Sequence, residues 1–269
     1  MRHRREFLKA MVNTTAGAYL FSHGLSVNAQ GRRKRIVVGN NEIRTVDIHA
    51  HCVFREVADL ISGTSMNRGF PDWYLLSPER LGPMDERGID VAALSVNNFW
   101  WYEADTDLAQ EIVTIHDEGL AEFCQSHPDR FVFLTSPALQ FPELAAEQLE
   151  YAVTELGARG ASIGGTVLGE TNSRSKYDPF WAKAVELEVP IFMHPTDSVY
   201  LLRQGGLPAR AGQGNIIGNP LETTFFLSNL IFDGTLDRFP SLKVCAAHGG
   251  GYLPSYLGRT EVACARDNA

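Results

Sequence analysis

Four histidines have the chemistry and the spacing to form one site: His49, His51, His194 and His248. His49 and His51 are separated by one residue where an apolar run ends. Alternate side chains of a strand share a face, so both imidazoles point the same way. Two neutral imidazoles side by side suit a divalent metal ion. Asp47, two residues earlier on that face, is expected to support the pair rather than to ligate. His194 closes Ile191-Phe192-Met193-His194-Pro195, and His248 closes Ala246-Ala247-His248, with Gly249, Gly250 and Gly251 allowing a tight turn and close approach to a ligand. Each of these two alone carries little weight, but with the first pair they place four imidazoles on one rim. Trp100 and Trp101 stand just past another apolar run, where they can line a pocket mouth or pack inside the protein.

The elements that must position these groups are read from the apolar runs 45–48, 91–96, 131–135, 160–163, 189–193 and 242–247, taken as six strands. Between them, Leu108, Ile112, Ile115, Leu120 and Phe123 keep a helical period, as do Leu144, Ala152, Val153 and Leu156 before a stop at Gly157. Asp178-Pro179 reads as a cap with a first-turn proline, and Asn219-Pro220-Leu221-Glu222 has the spacing of a capping box. Alternating strands and helices predict an α/β fold with a parallel sheet. An open doubly wound sheet and a barrel both fit that alternation. Histidines at the ends of the first, fifth and sixth strands favour the (β/α)8 TIM-barrel type, which gathers site residues from several strand ends on one face. Six of the eight strands fall within the sequence, and two further units would need about 70 residues beyond Ala269.

Composition bounds the function. The chain of 269 residues is 44% hydrophobic and carries a net charge of −8, which argues against nucleic acid as a partner. No run approaches the roughly 20 apolar residues of a membrane-spanning helix. Arg4-Arg5-Glu6-Phe7-Leu8-Lys9, an apolar stretch and Val27-Asn28-Ala29 have the layout of a twin-arginine export signal over 1–29, predicting a periplasmic or secreted protein. Residues 30–44 are expected to be a linker, with Arg32-Arg33-Lys34-Arg35 as a solvated tail, and 45–269 the barrel domain. Cys52, Cys124, Cys245 and Cys264 lack the spacing of a metal knuckle and are expected to be reduced packing residues.

Three stretches together resemble the amidohydrolase superfamily, in the branch of aminocarboxymuconate semialdehyde decarboxylase. They are Gly218-Asn219-Pro220-Leu221-Glu222-Thr223-Thr224, then Phe239-Pro240-Ser241-Leu242-Lys243-Val244-Cys245-Ala246-Ala247-His248-Gly249-Gly250-Gly251, and Gly258-Arg259. Met84-Asp85-Glu86 with Gly88-Ile89-Asp90, and His194-Pro195 with Asp197, extend the likeness from about Val46 to the end of the chain. The resemblance implies that His49, His51 and His194 bind a divalent metal, commonly zinc, and that His248 orients or deprotonates water there. It also implies that Arg259 binds a substrate carboxylate across a homodimer interface. The sequence departs from that pattern at Thr196, where the decarboxylase has a tryptophan. The family's aspartate of strand eight has no counterpart in the six strands read here, and Asp197 is the first candidate to take its role.

The expected activity is non-oxidative decarboxylation of a small aromatic or muconate-type carboxylate. The alternative within the family is hydrolysis of an amide, lactone or ester, and a chain lacking the last strands is also consistent with an inactive fragment. Gly160-Ala161-Ser162-Ile163-Gly164 fits the GxSxG pattern of serine hydrolases. The context contradicts it, because a polar loop follows Gly165 and the His-Gly-Gly-Gly run lies downstream rather than upstream.

Overall fold

The computed structural model of the chain describes residues 33–67, 69–97, 100–196 and 212–267. The export signal read over 1–29 and Asp197 lie outside the described residues.

The segment expected to be a linker carries an antiparallel hairpin, β1 (Ile36–Val38) and β2 (Asn41–Ile43). Arg33 pairs with Asp90, the Lys34 backbone N–H donates to Asp85 O at 3.0 Å, and Arg35 pairs with Glu42 at 2.8 Å.

Each of the six apolar runs forms a strand. β3 (Val46–His51) pairs in parallel with β4 (Val91–Ser95), and β4 with β5 (Phe131–Phe133). β6 (Ala161–Gly164) pairs in parallel with β9 (Pro190–His194), and β9 with β10 (Lys243–Ala246); a small hairpin of β7 (Thr166–Val167) and β8 (Glu170–Thr171) follows β6. A parallel bridge from Thr135 to Ala161 joins the two groups, with Ser162 N–H donating to Thr135 O at 2.7 Å. The order is therefore sequential from β3 to β10, the arrangement of consecutive strands in a (β/α)8-type barrel.

Helices fill the connections: α1 (Arg55–Leu60) and α2 (Leu81–Arg87) before β4, α3 (Thr106–Ser126) before β5, and α4 (Pro142–Thr154) before β6. Then come α5 (Asp178–Glu186) before β9, α6 (Asn219–Phe232) and α7 (Thr235–Arg238) before β10, and α8 (Leu257–Asp267). α3 starts where Asp105 accepts from the Leu108 N–H at 3.0 Å, and its periodic face buries Ala109, Ile112, Val113 and Leu120 against Leu94, Phe131 and Phe133. A second apolar cluster packs Ile163, Ile191 and Met193 against Trp181, Phe226 and Leu230. Each such fully buried side chain contributes about 1.5–3 kcal/mol, and their sum holds the strand ends in register.

Two capping expectations are corrected. The Asp178 carboxylate does not cap α5 but pairs with Arg238 at 3.0 Å, and the Glu222 carboxylate turns inward to Thr196 instead of capping α6. In both cases a tertiary donor outcompetes the local N–H groups. The chain's four cysteines are free thiols, and Cys52 is fully buried.

Candidate metal centre

The strand β3 runs on through both histidines, with a register shift against β4 between Asp47 and Ala50, and the two rings stack with centroids 4.9 Å apart. Their Nε2 atoms are 2.9 Å apart. From β9, the His194 ring stands 4.7 Å from that of His49 and 5.0 Å from that of His51. One nitrogen from each of the three lies within 4.8 Å of the others, a set able to hold a metal ion.

Neighbours fix these rings. Asp47 Oδ1 accepts from the His49 backbone N–H at 3.0 Å, and Arg80 donates to the carbonyls of His51 at 2.5 Å and Tyr74 at 3.1 Å. His194 Nδ1 is 2.9 Å from Pro195 O. A carbonyl only accepts, so Nδ1 carries the proton and Nε2 keeps its lone pair for a ligand.

Burial, reinforced by the neighbouring imidazoles, lowers the His194 pKa to about 2 and, with His49 as the next cause, that of His51 to about 4. His49 is lowered by burial and His248, against a smaller opposing effect of Asp47. Three uncharged imidazoles converge with no acid among them to share a proton. That donor set fits a divalent ion, whose charge would offset lone pairs pressed together.

His248 follows β10 in a left-handed conformation, φ 56°, with its ring 5.5 Å from His49 and 5.4 Å from His194. The glycines after it fold this turn against α6: a Cβ on Gly251 would fall 2.2 Å from Pro220 O. Burial lowers the His248 pKa below its ordinary 6.5.

The other candidates divide. Trp100 is buried with its ring 6.1 Å from His194, anchored by Nε1–H donating to Ser162 O at 3.0 Å. Trp101 is not at the pocket mouth: it turns into the core, at φ 44°, and stacks on His116. Arg259 is exposed on α8, beside an open groove of about 540 Å³ also lined by Leu221, Phe232 and Tyr256, and does not join the histidines. Ser162 is fully buried and its hydroxyl donates to Asn97 Oδ1 at 2.7 Å, the bond of a structural serine. Sequence reasoning missed Arg80 and Glu222. An arginine beside a proline turn carries no local signal, whereas Glu222, an acid in the first turn of its helix, reads as a cap.

With this geometry in place, residues 46–266 match the family model described as Amidohydrolase. The chain belongs to the amidohydrolase family. Among its relatives in that family is the 2-amino-3-carboxymuconate-6-semialdehyde decarboxylase of Dictyostelium discoideum, 31% identical over 68% of this chain and 50% of the relative. The gamma-resorcylate decarboxylase of Rhodococcus jostii (strain RHA1) is 32% identical over 68% of this chain and 58% of its own length. The chain thus spans about half the length of the curated relatives it matches. A crystal structure of 5-carboxyvanillate decarboxylase from Novosphingobium aromaticivorans, complexed with manganese and 4-hydroxy-3-methoxy-5-nitrobenzoic acid, superposes with a TM-score of 0.70 at 26% identity, covering 84% of this chain and 71% of that one.

Proposed function

We propose that this amidohydrolase is a metal-dependent, non-oxidative decarboxylase of a small aromatic or muconate-type carboxylate. The observation that carries the reading is the convergence of His49, His51 and His194 nitrogens beside the buried face of Trp100. The likeness to three decarboxylases of such acids supports it.

A divalent ion held by His49, His51 and His194 supplies Lewis acidity toward substrate oxygens. Zinc suits three imidazoles, and manganese, present in the 5-carboxyvanillate decarboxylase crystal, is the alternative ion. Trp100 offers an apolar wall for a planar ring. In the reaction the bond from ring or chain carbon to the carboxylate breaks, its electron pair stays on that carbon, and a proton takes the place of carbon dioxide. His248 is the group placed to move that proton: uncharged at pH 7 because burial lowers its pKa, it accepts a proton from water and passes it to that carbon.

Two further features belong to the proposal. The Arg4-Arg5 segment supports export through the twin-arginine pathway. The exposed apolar side chains Phe232 and Tyr256 that line the Arg259 groove support a homodimer with Arg259 reaching a substrate carboxylate.

The test incubates the metal-loaded protein with 2,6-dihydroxybenzoate, 5-carboxyvanillate and a carboxymuconate semialdehyde, and with neutral amides and lactones. The reading expects carbon dioxide from at least one acid. Acid released from amides or lactones, with no carbon dioxide, would replace it by a hydrolase.

A further inference from the structure

The Pro195–Thr196 peptide group, one residue past His194, is held at both ends, and its far anchor is a carboxylate outside the histidine cluster. Its carbonyl, Pro195 O, accepts from His194 Nδ1 at 2.9 Å. Its N–H, on Thr196, donates to Glu222 Oε1 at 2.7 Å, and the Thr196 hydroxyl donates to the same oxygen at 2.8 Å. A trans peptide is planar, with its C=O and N–H pointing oppositely, so these two bonds lie along one rigid, polarisable unit.

Glu222 is only 2% exposed, on α6. Burying a carboxyl group there is costly unless it is well bonded, and the fold makes room for it at the expense of side chains. A Cβ on Gly165 would stand 2.5 Å from Glu222 Oε1 and 2.6 Å from Met193 Cε, so a side chain at this position would displace the carboxylate or the Met193 methyl.

We propose that Glu222 is a positioning residue for His194, acting through the Pro195–Thr196 peptide group. A carboxylate accepting from the N–H draws the peptide's electrons toward its carbonyl oxygen. The carbonyl becomes a stronger acceptor for His194 Nδ1–H, which fixes the tautomer, aims Nε2 at the other imidazoles and raises its basicity. This is the carboxylate–histidine–metal relation with a peptide group interposed. The inference rests on the metal-binding part of the proposed function, but its first readout needs neither metal nor substrate.

The full chain is labelled with 15N-histidine, and the His194 tautomer is read by long-range proton–nitrogen NMR on the metal-free protein. Zinc affinity is then measured by chelator competition on wild type, Glu222→Gln, Glu222→Leu and Thr196→Ala. The wild type is expected to hold the proton on Nδ1. Glu222→Gln keeps an acceptor and the fold but loses the charge; it should bind zinc about 10-fold more weakly, and Glu222→Leu up to about 100-fold, with a mixed His194 tautomer. Thr196→Ala, which keeps the N–H, should stay within about two-fold of wild type. Unchanged zinc affinity and an unchanged Nδ1 tautomer in folded Glu222→Gln would overturn the proposal. A wild type that decarboxylates nothing while Glu222→Gln shows these losses sinks only the decarboxylase reading.

Discussion

His49 Nε2 and His51 Nε2 approach to 2.9 Å, closer than two uncharged acceptor nitrogens tolerate without a proton or cation between them. β3 puts the two side chains on one side, and the tips of the rings lean together there. One Nε2–H donating to the other ring satisfies the pair in the metal-free protein, and a metal ion would take that proton's place. The purified protein is therefore expected to carry about one equivalent of zinc or manganese, and the double variant His49→Ala/His51→Ala close to none, by elemental analysis. Equal metal content in the two proteins would remove the assignment.

Asp117 is a buried acid away from the histidine cluster. Its Oδ2 accepts from the Thr135 hydroxyl at 2.7 Å, its Oδ1 has no hydrogen-bond partner, and burial pushes its pKa from 3.8 to about 7. A folded-state pKa above the unfolded one gives a stability contribution that is complete below pH 3.8 and is lost as pH rises through about 7. Asp117→Asn escapes that loss. In chemical denaturation of the metal-free protein, its stability relative to the parent should improve by roughly 2–3 kcal/mol between pH 5 and pH 8. A difference independent of pH would show that Asp117 titrates normally.

Ser162 has the sequence context of a nucleophile and the structural position of a strut. Ser162→Ala leaves the Asn97 Oδ1 without its donor and should cost about 1–3 kcal/mol in stability. Turnover per bound metal should stay near wild type. Abolished turnover in a folded, metal-loaded Ser162→Ala protein would reinstate the serine.

The apolar side chains around the Arg259 groove give the dimer a test by mass. Phe232, on α6, is 45% exposed and Tyr256 57% exposed. Phe232→Glu should shift the protein from dimer to monomer in sedimentation, whereas Arg259→Ala should leave the dimer intact and weaken carboxylate binding. A monomeric wild type, or unchanged carboxylate binding by Arg259→Ala, would discard that half of the proposal.

What the sequence made legible was whatever a local period could encode. His49, His51 and His194 announced their common face through strand spacing, and all six strands lie within a few residues of their expected bounds. Partners chosen across the fold were not legible. Asp178 and Glu222 stand at helix starts, where an acid reads as a cap, yet Arg238 and Thr196 claim them. Trp100 and Trp101 are indistinguishable in sequence, but the positive φ of Trp101 sends it into the core while its neighbour stays near His194. The hairpin over 36–43 was hidden because Val37, Val38 and Ile43 are short, exposed runs with no buried face to set a period.

The central claim, that His49, His51 and His194 hold a metal ion that drives decarboxylation, is tested most directly by titrating the metal-free protein with zinc or manganese while carbon dioxide release from a 2,6-dihydroxybenzoate or 5-carboxyvanillate solution is followed. The account predicts release that rises with added metal, breaks at about one equivalent per chain, and is absent in His194→Ala. Carbon dioxide released at the same rate without metal, or by His194→Ala, would contradict it.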